Sequence, residues 1–180
     1  KYVHEKIVEK CGSEFNNLGL KIRVPEIPLK RFKYSEIISM LRDKGIQVSF
    51  GDDVGSEELR SLEELREEYY FITHWPSKIK PFYIKVNPDG TSQSFDLNYG
   101  PLELGSGGTR EENKEKLVSQ LIEKNLNPSD FSYHLKAFGY GMPPHAGWAI
   151  GLERLLMSIL KLDNIREATL YPRDRFRLEP

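Results

Sequence analysis

Gly141-Met142-Pro143-Pro144-His145-Ala146-Gly147-Trp148-Ala149-Ile150-Gly151-Leu152-Glu153-Arg154 carries the two least ordinary features of the chain. Gly147 and Gly151 bracket a short predicted strand, and glycine weakens a strand unless another backbone or a ligand needs close approach. Arg154 follows in the first turn of a helix that is otherwise apolar, through Leu155, Leu156, Met157, Ile159 and Leu160. A guanidinium in such a place needs a partner. A planar aromatic ring with phosphate oxygens would suit it, and so would an internal carboxylate such as Glu153 or Glu167. Spacing alone does not choose between them.

Upstream, Glu103-Leu104-Gly105-Ser106-Gly107-Gly108-Thr109-Arg110 forms a second candidate stretch. Glu103 at a strand end and Ser106 after it could offer oxygens to one hard cation. Mg²⁺ suits such a partial set when a nucleotide supplies the rest. The glycines permit close backbone approach, although an ordinary turn reads the same way. His145 lies in the loop entering the strand before Arg154. Asp96 is a weaker candidate, since an inward carboxylate could equally pair with an arginine. His4, His74 and His134 read as surface or cap residues, Trp75 and Trp148 as core, and Lys78, Lys80 and Lys85 as solubilising charges that could also touch a nucleic acid.

Between these stretches the pattern alternates without a regular βαβ order. Val3, Ile7, Cys11, Phe15 and Leu18 recur at helical spacing, closed by Asn16-Asn17 and Gly19. Leu20–Val24 and Ile46–Phe50 read as strands. Ser35 is a plausible N-cap for a helix through Leu41 that ends before Gly45. Ser56 opens a charged helix to Glu67. Tyr69–Thr73 is a strand, and Phe82–Val86 and Ser94–Leu97 read as a hairpin around Asn87-Pro88-Asp89-Gly90. Helices are predicted over Glu111–Lys124, Pro128–Phe138 and Leu152–Leu160, the last one buried. The fold class is α+β around a mainly antiparallel sheet.

Bulk properties bound the function only loosely. The chain has 180 residues, 38% hydrophobic and 29% charged, with a net charge of −1. Its length allows one domain with a real core, and its charge does not announce a nucleic-acid binder. The single cysteine, Cys11, excludes an intrachain disulfide and reads as a small apolar helix residue suited to a reducing cytoplasm. No apolar run nears the roughly 20 residues that span a bilayer. Lys1 rather than Met begins the chain inside a predicted helix, which suggests a fragment, a processed product or a start not included.

Ala149-Ile150-Gly151-Leu152-Glu153-Arg154 resembles the Gly-x-Gly-Leu-Glu-Arg pattern of class II aminoacyl-tRNA synthetases, with its first glycine replaced. Pro144-His145-Ala146-Gly147 looks like the aspartyl branch, whose asparaginyl relatives more often read Pro-His-Ser-Gly. Asn164-Ile165-Arg166-Glu167, Tyr171-Pro172-Arg173-Asp174 and Arg177-Leu178 with Pro180 are similar to the C-terminus of archaeal-type aspartyl-tRNA synthetases, and the likeness includes Phe82-Tyr83 and Ser94-Phe95-Asp96-Leu97. The resemblance implies a partial class II sheet flanked by helices, residues 1–180 forming the C-terminal portion of the catalytic domain. It implies that Gly151 and Arg154 bind ATP, Arg154 packing on adenine and reaching the phosphates as the catalytic arginine. It also implies that Glu103 and Ser106 hold Mg²⁺ on ATP, and that Arg110 and His145 meet the amino acid.

The family's first motif, its arginine-bearing second motif, the loop that separates aspartate from asparagine and the anticodon-reading barrel find no counterpart here, and Thr109 replaces a common glutamine. The resemblance therefore implies aspartyl-adenylate formation and tRNA charging for an intact cytoplasmic enzyme, with aspartate and tRNA as partners. The 180 residues alone are expected to be inactive and to self-associate, as a homodimer or otherwise. Two alternatives are a paralogue that spends an aspartyl-adenylate on another reaction, such as asparagine synthesis, and a non-catalytic binding module.

Overall fold

In the computed structural model, residues 1–179 are described; Pro180 of the C-terminal motif lies outside them. The chain forms two compact units, one of Arg31–Ala149 and one of Lys1–Lys30 with the segment from Ile150 onward.

The first unit is α+β, as the sequence predicts. Its five-stranded sheet runs in chain order, β1 (Lys30–Lys33), β2 (Tyr69–Thr73), β3 (Ser94–Tyr99), β4 (Leu102–Thr109) and β5 (Ala146–Ile150). The β2–β3 and β3–β4 pairs are antiparallel. Helix α2 (Tyr34–Asp43) sets Tyr34, Ile37, Ile38 and Leu41 on one face at three- and four-residue spacing. They pack with Tyr70 and Ile72 of β2, with Trp75, and with Leu62 and Leu65 into one core. The first turn of α2 begins at Lys33 rather than at the predicted Ser35 cap, because the Glu36 carboxylate reaches back to accept the Lys33 backbone N–H at 2.6 Å. A second core joins Leu117 and Leu121 of α4 (Lys114–Glu123) to Leu135 and Phe138 of α5 (Ser132–Phe138), with Phe82 and Phe131 against them.

Several local expectations fail for identifiable reasons. Leu20–Val24 and Ile46–Phe50 form no strand among the described residues; alternation has no force without a neighbouring strand to accept the backbone. The predicted charged helix breaks into α3 (Ser56–Leu59) and a single 3₁₀ turn at Glu63–Leu65. The predicted hairpin does not form as a pair of strands. Phe82–Val86 makes only isolated bridges, Ile84 to Arg110 and Val86 to Ser92, while β3 takes β2 and β4 as partners. The turn itself is present, with Gly90 at φ +81°.

The β3–β4 turn depends on Gly100. Its φ is +53°, and a Cβ there would lie 2.3 Å from the Arg66 carbonyl oxygen. Backbone cannot yield as a flexible side chain does. Gly100→Ala is therefore expected to lower unfolding free energy by about 2 kcal/mol or more, read as a lower urea midpoint at unchanged slope. An unchanged midpoint would mean that the turn tolerates a Cβ.

The second unit holds α1 (Tyr2–Asn17), interrupted by non-helical backbone at Cys11, and α6 (Leu152–Leu160), which packs on a 3₁₀ turn at Ile165–Ala168. His4, expected at the surface, is buried at the start of α1. In α6 only Ser158 and Ile159 are fully buried and Leu152 is exposed, so the helix is less enclosed than its composition suggests. No helix among the described residues is long and apolar enough to cross a membrane.

Candidate active site

In a regular strand, residues three apart point to opposite faces, so Glu103 and Ser106 should diverge. A register shift prevents this. The β3–β4 pairing steps from Leu97↔Gly105 to Asn98↔Glu103, leaving Leu104 as an extra residue on β4. Directly opposed residues share a face, so Glu103 lies with Asn98 and Ser106 with Asp96. Asp96 and Asn98 are two apart on one strand. All four therefore occupy one side of the sheet, Glu103 and Ser106 exposed and Asp96 and Asn98 buried.

The run read as a glycine-rich loop is strand, and crowding explains its glycines. A Cβ on Gly107 would meet the Trp148 Cβ at 2.4 Å and the Gly147 carbonyl at 2.7 Å, and one on Gly108 would meet the Gln93 carbonyl at 2.7 Å. Trp148, expected in the core, keeps 64% of its surface exposed on β5. No residue of β5 is buried, so an aromatic side chain there is not core.

Asp96 pairs with a lysine rather than the arginine envisaged. The Lys80 ammonium stands 2.6 Å from Asp96 Oδ2 and 4.0 Å from the centre of the Trp75 ring. Burial pushes the Asp96 carboxyl above its ordinary range, Lys80 pulls it down, and the charges of Glu103 and Asp53 push it up again. Its Oδ1 is buried without a hydrogen-bond partner, as is Asn98 Nδ2. Such orphaned atoms mark places where a ligand or ordered water belongs. In sequence Ser94, Asp96 and Asn98 alternate with Phe95, Leu97 and Tyr99, which reads as a polar side facing solvent, yet Ser92, Ser94, Asp96 and Asn98 are all buried. A buried strand face carrying only polar residues is not ordinary core. Among the described residues, no group of three or more His, Cys, Asp or Glu could hold a metal. The donors present are oxygens on an open face, which fits a Mg²⁺ completed by nucleotide phosphates.

At the far end of β4 the chain brings Arg110 and His145 together. The Arg110 backbone N–H donates to the His145 carbonyl at 2.9 Å. Its guanidinium carbon lies 4.6 Å from the centre of the Tyr83 ring, and the position of a Cβ on Gly147 is 3.1 Å from Nη2. Among the described residues no carboxylate pairs with this guanidinium. The His145 Nδ1 lies 2.9 Å from the Pro143 carbonyl oxygen, which can only accept. In the neutral ring, Nδ1 then carries the proton and Nε2 is left as an acceptor.

In the other unit, Gly151 is the N-cap of α6 and Arg154 lies exposed in its first turn. A cation there opposes the helix dipole, whereas Glu153 beside it complements that dipole. Helix stability does not account for Arg154.

The chain matches the tRNA synthetases class II (D, K and N) family over residues 1–175. It is 46% identical to an aspartate–tRNA(Asp/Asn) ligase of Methanopyrus kandleri, over 99% of this chain and 42% of the relative. It is 49% identical to an aspartate–tRNA(Asp/Asn) ligase of Sulfurisphaera tokodaii, over 97% of this chain and 41% of the relative. Among solved structures, the aspartyl tRNA synthetase of Entamoeba histolytica aligns at TM-score 0.92 and 32% identity, over 99% of this chain and 39% of that one. The asparaginyl-tRNA synthetase of Pyrococcus horikoshii complexed with asparaginyl-adenylate aligns at TM-score 0.89 and 34% identity, over 99% of this chain and 43% of that one. The chain thus spans about two fifths of the length of these relatives. With the family matched along almost all of its residues and the fold shared at these TM-scores, the chain belongs to the class II tRNA synthetases of the D, K and N group.

Proposed function

We propose that residues 1–180 are the C-terminal portion of an aspartyl-tRNA synthetase catalytic domain, which binds Mg-ATP and aspartate for adenylate formation. The observation that carries this reading is the sheet face on which the β4 bulge sets Glu103 and Ser106 beside Asp96. In the reaction, an oxygen of the aspartate α-carboxylate attacks the α-phosphate of ATP. The bond to pyrophosphate breaks, giving aspartyl-adenylate. A tRNA 3′ hydroxyl then takes the aspartyl group and releases AMP.

Each side chain has a distinct task. Arg110 forks onto the side-chain carboxylate of aspartate, leaving the α-carboxylate to react. His145 Nε2, an acceptor while the ring is neutral, can receive a hydrogen bond from the substrate ammonium. Glu103 and Ser106 hold the Mg²⁺ that draws charge from the phosphate oxygens when bound, and Asp96, steadied by Lys80, adds negative charge on the same face. Arg154 stacks on adenine and reaches the phosphates at the Gly151 turn. The shared names of the relatives support aspartate and tRNA as substrates, and the oxygen donor set supports ATP with Mg²⁺.

ATP–pyrophosphate exchange tests the reading on the protein as expressed from its own gene. Exchange is expected with aspartate, at least tenfold weaker with asparagine, and followed by aspartate-dependent charging of tRNA. Exchange that no amino acid stimulates would overturn the assignment. Exchange with no charging of any tRNA would remove the transfer step from it.

A further inference from the structure

We propose that Tyr83 is a positioning residue for amino-acid selection, its ring holding the Arg110 guanidinium against the Cβ-free backbone of Gly147. The inference rests on the reading of Arg110 as the group that takes the aspartate side chain. Three observations meet here. The guanidinium carbon lies 4.6 Å from the Tyr83 ring centre. Gly147 leaves open a space that a Cβ would fill at 3.1 Å from Nη2, 3.6 Å from Nε and 3.8 Å from Cζ. No carboxylate among the described residues competes for the fork.

The two segments are also pinned together. Ile84 bridges Arg110, and the Glu111 N–H donates to the Tyr83 carbonyl at 3.0 Å. The ring and the fork therefore share one rigid backbone frame. Tyr83 is 37% exposed and Phe82 packs edge-on against it at 5.4 Å, so the ring is steadied on one side and open on another. An arginine side chain has several soft torsions. Bidentate capture of a carboxylate needs its plane fixed in advance, and an aromatic face does this without neutralising the charge. A carboxylate partner would fix the plane equally well but would occupy the fork. The choice of a tyrosine ring and a glycine suits an arginine kept free for an incoming acid.

The test is exchange kinetics on Tyr83→Leu, Tyr83→Phe and Gly147→Ala in the naturally expressed protein. Tyr83→Leu is expected to raise KM for aspartate about tenfold while KM for ATP stays within about twofold. Discrimination against asparagine should fall in step. Tyr83→Phe keeps the ring face and should stay within about twofold for both substrates. Gly147→Ala meets only the movable end of Arg110 and should fold normally, yet raise KM for aspartate selectively. That variant decides the matter if Tyr83→Leu does not fold. Unchanged aspartate KM in Tyr83→Leu, or in Gly147→Ala where the leucine variant is unfolded, overturns the inference, as does an equal rise for ATP and aspartate. Lack of aspartate-dependent exchange in the unsubstituted protein overturns the reading of the site itself.

Discussion

Arg154→Ala is expected to lower aspartate-dependent ATP–pyrophosphate exchange at least about a hundredfold, the scale of losing one preorganised contact to developing charge. The folded protein should survive the change. Arg154 is exposed in the first turn of α6, where a positive charge works against the helix dipole. Its side chain is exposed, so removing it takes away no buried packing. Arg154→Lys keeps the charge but loses the planar group that stacks on a base, so it should recover only part of the activity. The measurements are exchange rate against ATP concentration and thermal unfolding of each variant. Exchange within threefold of the unsubstituted protein would sink the assignment. A large fall in melting temperature would return Arg154 to a structural role.

The sequence and the structure agree most closely where one local pattern decides the outcome. The spacing of Ile37, Ile38 and Leu41 predicts a helix, and α2 buries all three, together with Tyr34, which the predicted Ser35 cap leaves outside. In α4, Leu117, Leu121 and Ile122 read as the inner face; Leu117 and Leu121 are buried, whereas Ile122 is exposed. Agreement fails where the outcome depends on a distant strand. Phe82–Val86 has strand-forming residues, but its neighbours Arg110 and Ser92 offer single bridges rather than a ladder. Gly105–Gly108 reads as a loop because glycine usually marks one. It is strand because Trp148, Gly147 and Gln93 crowd Gly107 and Gly108, which no local pattern reveals.

The candidate site divides along the same line. Resemblance marks Glu103, Ser106, Arg110, His145, Gly151 and Arg154, but it does not explain how Glu103 and Ser106 come to share a face. One extra residue in the β4 register does that. Lys80, dismissed as a solubilising charge, proves to be the partner of a buried carboxylate, and its tie to Asp96 crosses between separate segments. Charge alone could not reveal it. The strand pattern could not either, since Ser94, Asp96 and Asn98 alternate with Phe95, Leu97 and Tyr99 as a solvent-facing polar side would, whereas the polar side is the buried one.

Glu103→Gln separates metal binding from structure on this face. Amide replaces carboxylate at nearly constant size, and Glu103 is exposed, so unfolding should change little. A neutral amide is a poorer ligand for a hard dication. The Mg²⁺ concentration for half-maximal exchange should therefore rise at least about tenfold, and kcat/KM for Mg-ATP should fall by between one and two orders of magnitude. Asp96→Asn is the instructive contrast. It leaves the Lys80 ammonium, 17% exposed, without its counter-ion, so it should lower stability by up to about 3 kcal/mol as well as activity. Ser106→Ala removes a neutral donor and should shift the Mg²⁺ requirement less than Glu103→Gln does. The decisive quantity is the ratio of the Mg²⁺ shift to the stability shift. It should be large for Glu103→Gln and small for Asp96→Asn. A Glu103→Gln protein with an unshifted Mg²⁺ requirement would show that this carboxylate does not hold the cation, whatever happens to its overall rate.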